Sequence, residues 1–111
     1  MTEAAPRVNE LPTDERPRER LLQMGAEALS DTELVAILLR TGSSSTGENA
    51  LALASRLLAR LKGLGVSDDQ SPVTGLKQAS IEELTAVKGI GNAKAAQLKA
   101  ALELGQRGQL K

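Results

Sequence analysis

The sequence predicts an all-α fold: a small bundle of about five helices containing one tight helical hairpin and a degenerate second helical pair. Three observations lead there. No stretch sustains the alternation of apolar and polar residues that a half-buried strand requires. Apolar residues recur instead at helical spacing, behind two capping boxes that open at Ser30 and Ser80. The 111 residues include no Phe, Trp or Tyr, so Leu, Ile, Val, Ala and Met must build the core, and such a core suits closely packed helices.

Residues 1–13 contain Pro6 and Pro12 and no apolar period, which predicts a flexible N-terminal segment ahead of one helical domain over 14–107 and a short tail over 108–111. Pro17 suits the first position of a short helix, with Leu21, Leu22 and Met24 as its apolar face and Gly25 as its stop. Alternating Arg16, Arg18 and Arg20 with Glu15 and Glu19 suggests local ion pairs there. Ser30 and Glu33 form the first capping box, followed by Leu34, Ile37 and Leu38 as the expected buried stripe. A serine-rich loop from Thr41 to Gly47 ends that helix. The next is expected from about Glu48 to Lys62, with Leu51, Ala54, Leu58 and Leu61 facing inward. Gly63 to Gly75 reads as a loop, being rich in Gly, Ser and Asp and interrupted by Pro72. Ser80 and Glu83 form the second box, Leu84 and Val87 supply its apolar stripe, and a last helix runs from Asn92 to about Gln106.

The two capped helices resemble each other at an offset of 50 residues: Ser30, Glu33, Leu34, Ala36 and Ile37 match Ser80, Glu83, Leu84, Ala86 and Val87. Beyond the interruptions, Asn49-Ala50 matches Asn92-Ala93. The first copy has the longer turn.

Composition excludes several kinds of chemistry. There is no His and no Cys, which removes the usual zinc ligands, the usual general base and any thiol reaction. No metal or cofactor site and no catalytic residue is expected in this chain, and Ser43 to Ser45 lack a base to activate them. Asp68 and Asp69 have no partner ligands and read as a solvated loop. No apolar run is long enough for a membrane span, and the expected location is cytoplasmic. Without aromatic rings, bases cannot stack as they do on single-strand binders. Net charge is zero, yet from Lys88 onward five basic residues face one acid, Glu103, which leaves +4 on the C-terminal segment.

The motif that carries chemistry is Leu84-x-x-Val87-x-Gly89-Ile90-Gly91-x-x-x-Ala95-x-x-Leu98, which matches a helix-hairpin-helix over residues 80–104. The glycines allow a tight reversal, Ile90 plugs the gap between the helices, and Ala95 is small where they cross. The turn feeds into a helix N-terminus, whose unpaired amides and dipole favour an anion. Lys88, Gly89, Ile90, Gly91, Asn92, Ala93 and Lys94 are therefore the candidate phosphate-binding residues. In the first copy, Arg40 and Thr41 stand where the glycine turn would be. They are a candidate secondary contact, although an inert connector is the simpler reading of that loop.

Arg16-Pro17-Arg18-Glu19-Arg20-Leu21-Leu22, Gly25 to Asp31, Ala36 to Gly42 and Lys88-Gly89-Ile90-Gly91-Asn92-Ala93-Lys94-Ala95 together resemble the amino-terminal half of the RadC family of bacterial proteins, a family with a DNA-repair label. The resemblance spans about residues 10 to 107 and departs from the family at Leu64 to Val73, which is longer and more polar than the usual link. It implies a further half, absent from this sequence, with a JAB/MPN metalloprotease-like fold and zinc held by His and Asp. The expected function is weak, non-sequence-specific binding of duplex DNA by this module, positioning that half. The alternative is a protein-interaction or regulatory domain, with the missing half as its partner.

Overall fold

The computed structural model describes residues 16–62 and 71–109. The fold is all-α, as the sequence predicts. Helix α1 (Arg16–Met24) is followed by a 3₁₀ turn (Ala26–Ala28), then α2 (Asp31–Leu39), α3 (Ala50–Lys62), α4 (Pro72–Gln78), α5 (Ile81–Thr85) and α6 (Asn92–Gly108). The expectations for residues 1–13 and for Asp68-Asp69 fall outside the described residues. No described helix is long and apolar enough to cross a membrane.

Both capping boxes form in full. The Ser30 hydroxyl accepts from the Glu33 amide while the Glu33 carboxylate accepts from the Ser30 amide, and Ser80 and Glu83 repeat the arrangement. The two cap residues have nearly the same backbone angles, φ −74° and ψ 165° against φ −77° and ψ 165°. Each cap of this kind contributes about 1 kcal/mol to the helix it opens.

The core is aliphatic throughout. Leu53, Leu57 and Leu61 of α3 lie at its centre, with Val35, Ala36 and Leu39 of α2 on one side and Leu76, Leu84 and Leu98 on the other. Full burial of a Leu side chain stabilises the fold by roughly 1.5–3 kcal/mol. Helix α3 packs on α2 and α4, while α6 packs on α2, α4 and α5.

The structure corrects the sequence reading in five places. The buried stripe of α2 is Val35, Ala36 and Leu39, not Leu34, Ile37 and Leu38, because α3 and α6 both press on this helix and rotate the preferred face. Pro72 to Gly75, expected as the end of a loop, are the first part of helix α4: Ser71 caps it through the Val73 amide and Pro72 occupies its first turn. On α1, Leu22 and Met24 do not pack inward but stand 71% and 58% exposed. Arg20 does not pair within its own helix either. It reaches Glu33 at 2.8 Å, tying α1 to the start of α2, while Glu19 accepts from Gln23. Helix α6 also runs to Gly108, slightly past its expected end.

Candidate functional site

The turn between α5 and α6 is built from short backbone bonds: the Val87 amide donates to the Leu84 carbonyl at 3.1 Å, and the Ile90 amide to the Val87 carbonyl at 3.0 Å. Leu84, Val87, Ile90, Ala95 and Leu98 are all buried, as the motif predicts. Lys88, Gly91, Asn92 and Ala93 are exposed, and Gly89 and Lys94 are half-buried.

The two glycines have different reasons to be there, which the sequence reading did not separate. Gly89 has φ +99°, and a β-carbon on it would stand 3.0 Å from the Leu53 Cδ1 and Ser43 Cβ atoms. It serves both conformation and packing. Gly91 has φ −92° and ψ −174°, extended angles open to any residue, and nothing lies within 4 Å of where its β-carbon would be. Neither strain nor crowding in the folded chain calls for glycine at that position.

Gly91 is the N-cap of α6, and no side chain caps this 17-residue helix. The first intrahelical bond of the helix runs from the Ala95 amide to the Gly91 carbonyl at 3.0 Å. The amides of Asn92, Ala93 and Lys94 precede it and have no intrahelical acceptor, and the positive end of the helix dipole lies with them. The repeat correspondence breaks at this point. Asn49 caps α3, accepting from the Ala52 amide at 2.8 Å, whereas Asn92 is already the first residue of α6 and caps nothing.

The serine- and threonine-rich loop packs against this turn. Gly42 lies beneath the Glu48 carbonyl, and Ser43 and Glu48 form an isolated antiparallel bridge. Ser43 is buried; its hydroxyl lies 2.9 Å from that of Ser45 and accepts from the Thr46 amide. Arg40 has φ +74° and ψ −50°, and the Thr41 amide donates to the Leu39 carbonyl across it at 2.8 Å. This is a γ-turn of the rare positive-φ kind, strained for any side-chain-bearing residue. The Lys94 ammonium lies 3.5 Å from the Thr41 hydroxyl, which brings the two sets of candidate residues onto one surface.

Two residues that sequence reasoning did not single out fasten the loop to the turn. Arg56 donates from Nε to Glu48 at 2.9 Å and from Nη2 to the other carboxylate oxygen at 2.7 Å, and Nη2 also donates to the Lys88 carbonyl. The Thr46 hydroxyl donates to Glu48 at 2.7 Å. The Arg56 guanidinium, and after it the Thr46 hydroxyl, holds the Glu48 carboxyl at about 2, down from its ordinary 4.5. A carboxyl shifted down on folding stabilises the fold above its unfolded value, and that contribution fades as pH falls toward the folded value. Glu48→Gln is therefore expected to lower the melting temperature at neutral pH, with the gap to the unmodified protein closing between pH 4.5 and pH 2. A gap that stays constant across that window in thermal melts would contradict this assignment.

The basic surplus of the C-terminal segment is smaller at the site than in the sequence. The Lys99 ammonium donates to the carbonyls of Leu76, Lys77 and Ala79 at 3.4, 2.9 and 2.7 Å, where the C-terminal end of α4 leaves carbonyls unpaired. Arg107 pairs with Glu103 at 3.0 Å one helical turn away. Lys88 and Lys94 stay beside the turn, and Arg40 is the chain neighbour of Thr41, whose hydroxyl Lys94 meets. Among the described residues, the side chains of Arg40 and Lys88 have no ion-pair partner.

Comparison with known proteins places this arrangement in a family. The chain is 52% identical over 101 residues to the UPF0758 protein of Bacillus licheniformis, covering 91% of this chain and 40% of that protein. It is 51% identical over 100 residues to the UPF0758 protein of Geobacillus kaustophilus (90% and 39% covered), and 50% identical over 107 residues to that of Roseiflexus sp. (96% and 41%). The chain thus spans about two fifths of the length of these relatives. No solved structure matches it significantly. The family described as UPF0758 N-terminal matches residues 8–96, and it is the RadC-like family to which the sequence motifs point. With nine tenths of its length aligned at about half identity, the chain belongs to the UPF0758 N-terminal family.

Proposed function

We propose that α5, its turn and the start of α6 form a helix-hairpin-helix that grips the phosphate backbone of duplex DNA weakly and without sequence preference. The observation that carries this reading is Gly91. It caps the longest described helix without a side-chain bond, in a conformation any residue can adopt, with open space where a β-carbon would be. A glycine at such a place lets a phosphate oxygen come close to the free amides that follow it. Lys94 in the first turn adds a charge-assisted contact, with Lys88 beside it and Arg40 and Thr41 as a secondary contact. Contacts of this kind position a protein on a duplex and read no bases. In a longer protein the grip would position the JAB/MPN-like half that the RadC resemblance implies, and chemistry would belong to that half.

Fluorescence anisotropy with a labelled duplex across a salt series tests the proposal. Binding is expected with a dissociation constant of about 10⁻⁴ to 10⁻⁶ M near physiological salt, weakening steeply as salt rises. Lys94→Gln is expected to reduce the salt slope by about one phosphate contact, uniformly across duplex sequences. A protein that shows no salt-dependent binding at low ionic strength would overturn the proposal.

One observation favours a second reading, a domain that docks a protein partner. Leu22 and Met24 of α1 are both exposed large apolar side chains, and apolar surface of this kind marks interaction sites where it is contiguous. Backbone NMR separates the two readings: duplex should shift Gly89 to Lys94, whereas a docking partner should shift Arg16 to Met24.

A further inference from the structure

We propose that Arg56 is the positioning residue of this site. Its guanidinium locks the α5–α6 turn and the Arg40–Thr41 loop into one surface that holds two phosphates of the same backbone. The inference rests on the phosphate-binding reading above and goes beyond it by naming what makes the two contacts act together.

Arg56 projects from α3 between the two segments. It accounts for both of Glu48's carboxylate oxygens and also reaches the Lys88 carbonyl, so one planar side chain bonds the last residue of the loop's bridge and the residue just before Gly89. Such a forked, rigid geometry is available to Arg and not to Lys. The rest of the junction is close-packed: a β-carbon on Gly89 would stand 3.0 Å from both Leu53 and Ser43. Across this junction Thr41 meets Lys94, and next to Thr41 stands Arg40 in its strained γ-turn, with its side chain exposed and without an ion-pair partner among the described residues. A strained backbone survives only where its surroundings impose it. Here the surroundings hold Arg40 next to Thr41, whose hydroxyl meets Lys94 in the first turn of α6.

If Arg56 couples the two contacts, the effect of removing one must depend on it. Labelled duplex is titrated with the unmodified chain, Arg40→Gln, Arg56→Lys and the double variant, over a salt series, with circular dichroism confirming that each is folded at the assay temperature. The expected result is that Arg40→Gln weakens binding several-fold and lowers the salt slope by about 0.9, the value for one duplex phosphate. In the Arg56→Lys background, Arg40→Gln should change neither quantity, while Lys94→Gln should still weaken binding. A purely structural role for Arg56 would leave the effect of Arg40→Gln the same in both backgrounds, since independent sites add. That result, or an Arg40→Gln variant that binds like the unmodified chain, overturns the inference and leaves the hairpin reading standing. Absence of binding by the unmodified chain overturns both. Should Arg56→Lys fail to fold, Glu48→Gln gives the same cycle, because it releases the loop while keeping the bond from Arg56 to the Lys88 carbonyl.

Discussion

Gly42→Ala should destabilise the domain by about 3 kcal/mol, the combined scale of overpacking a tight site and losing a hydrogen bond and a helix cap. A β-carbon on Gly42 would stand 1.9 Å from the Glu48 carbonyl oxygen and 2.6 Å from the Asn49 carbonyl carbon and Cα. All three are backbone atoms, so no side chain can swing aside. The segments must part, and with them goes the bond from the Ser43 amide to the Glu48 carbonyl, now 2.9 Å. Asn49 moves too, which loosens the cap of α3. For a domain of this size the loss corresponds to a fall in melting temperature of roughly 10–20 °C. Thermal melts by circular dichroism would show it, and a variant melting within a degree or two of the parent would mean that the loop is not held as described.

Leu53→Ala should cost a similar amount, about 2–5 kcal/mol, as expected when a fully buried Leu is truncated and its surroundings close only partly around the cavity. Leu53 is fully buried at the centre of the core, and its Cδ1 atom also supports Gly89 from beneath. The change therefore has a local signature besides a global one. Amide exchange at Val87 to Ile90 should accelerate more than in a truncation of equal cost elsewhere, such as Leu57→Ala. Domains of this kind have only about 5–15 kcal/mol to lose. Denaturant melts together with hydrogen exchange would test both parts, and equal exchange in the two variants would show that Leu53 does not support the turn.

These two effects mark the boundary of what the sequence made legible. The capping boxes at Ser30 and Ser80 and the buried positions Leu84, Val87, Ile90, Ala95 and Leu98 follow from local spacing, and the structure places them as read. Helix α4 carries a local signal, since Ser71 followed by Pro72 is an N-cap with proline at the first position, but the Gly- and Asp-rich stretch before it reads as loop. The fully buried residues of α2 are Val35, Ala36 and Leu39 rather than Leu34, Ile37 and Leu38, because periodicity cannot tell how many neighbours press on a helix. Gly42, Glu48 and Arg56 could not have been found, since their partners are set by how the loop folds back on α3 and α5. The pairing of Thr41 with Lys94 joins residues 53 apart in the chain. Lys99 shows the converse: its charge counts toward a basic face in the sequence, while the fold uses it on the end of α4.

Gly91→Ala tests the central claim most directly, because it divides binding from folding. The change replaces a glycine at a cap, which costs stability, and stiffens the unfolded chain, which restores it, so the net change should stay within about 1 kcal/mol. The added methyl group occupies the open space through which a phosphate would approach the amides of Asn92, Ala93 and Lys94. Anisotropy titration of a labelled duplex at low salt should therefore find the variant folded and its affinity reduced several-fold or more relative to the unmodified chain. Equal affinity for the two proteins, with melting temperatures unchanged, would contradict phosphate binding at this turn.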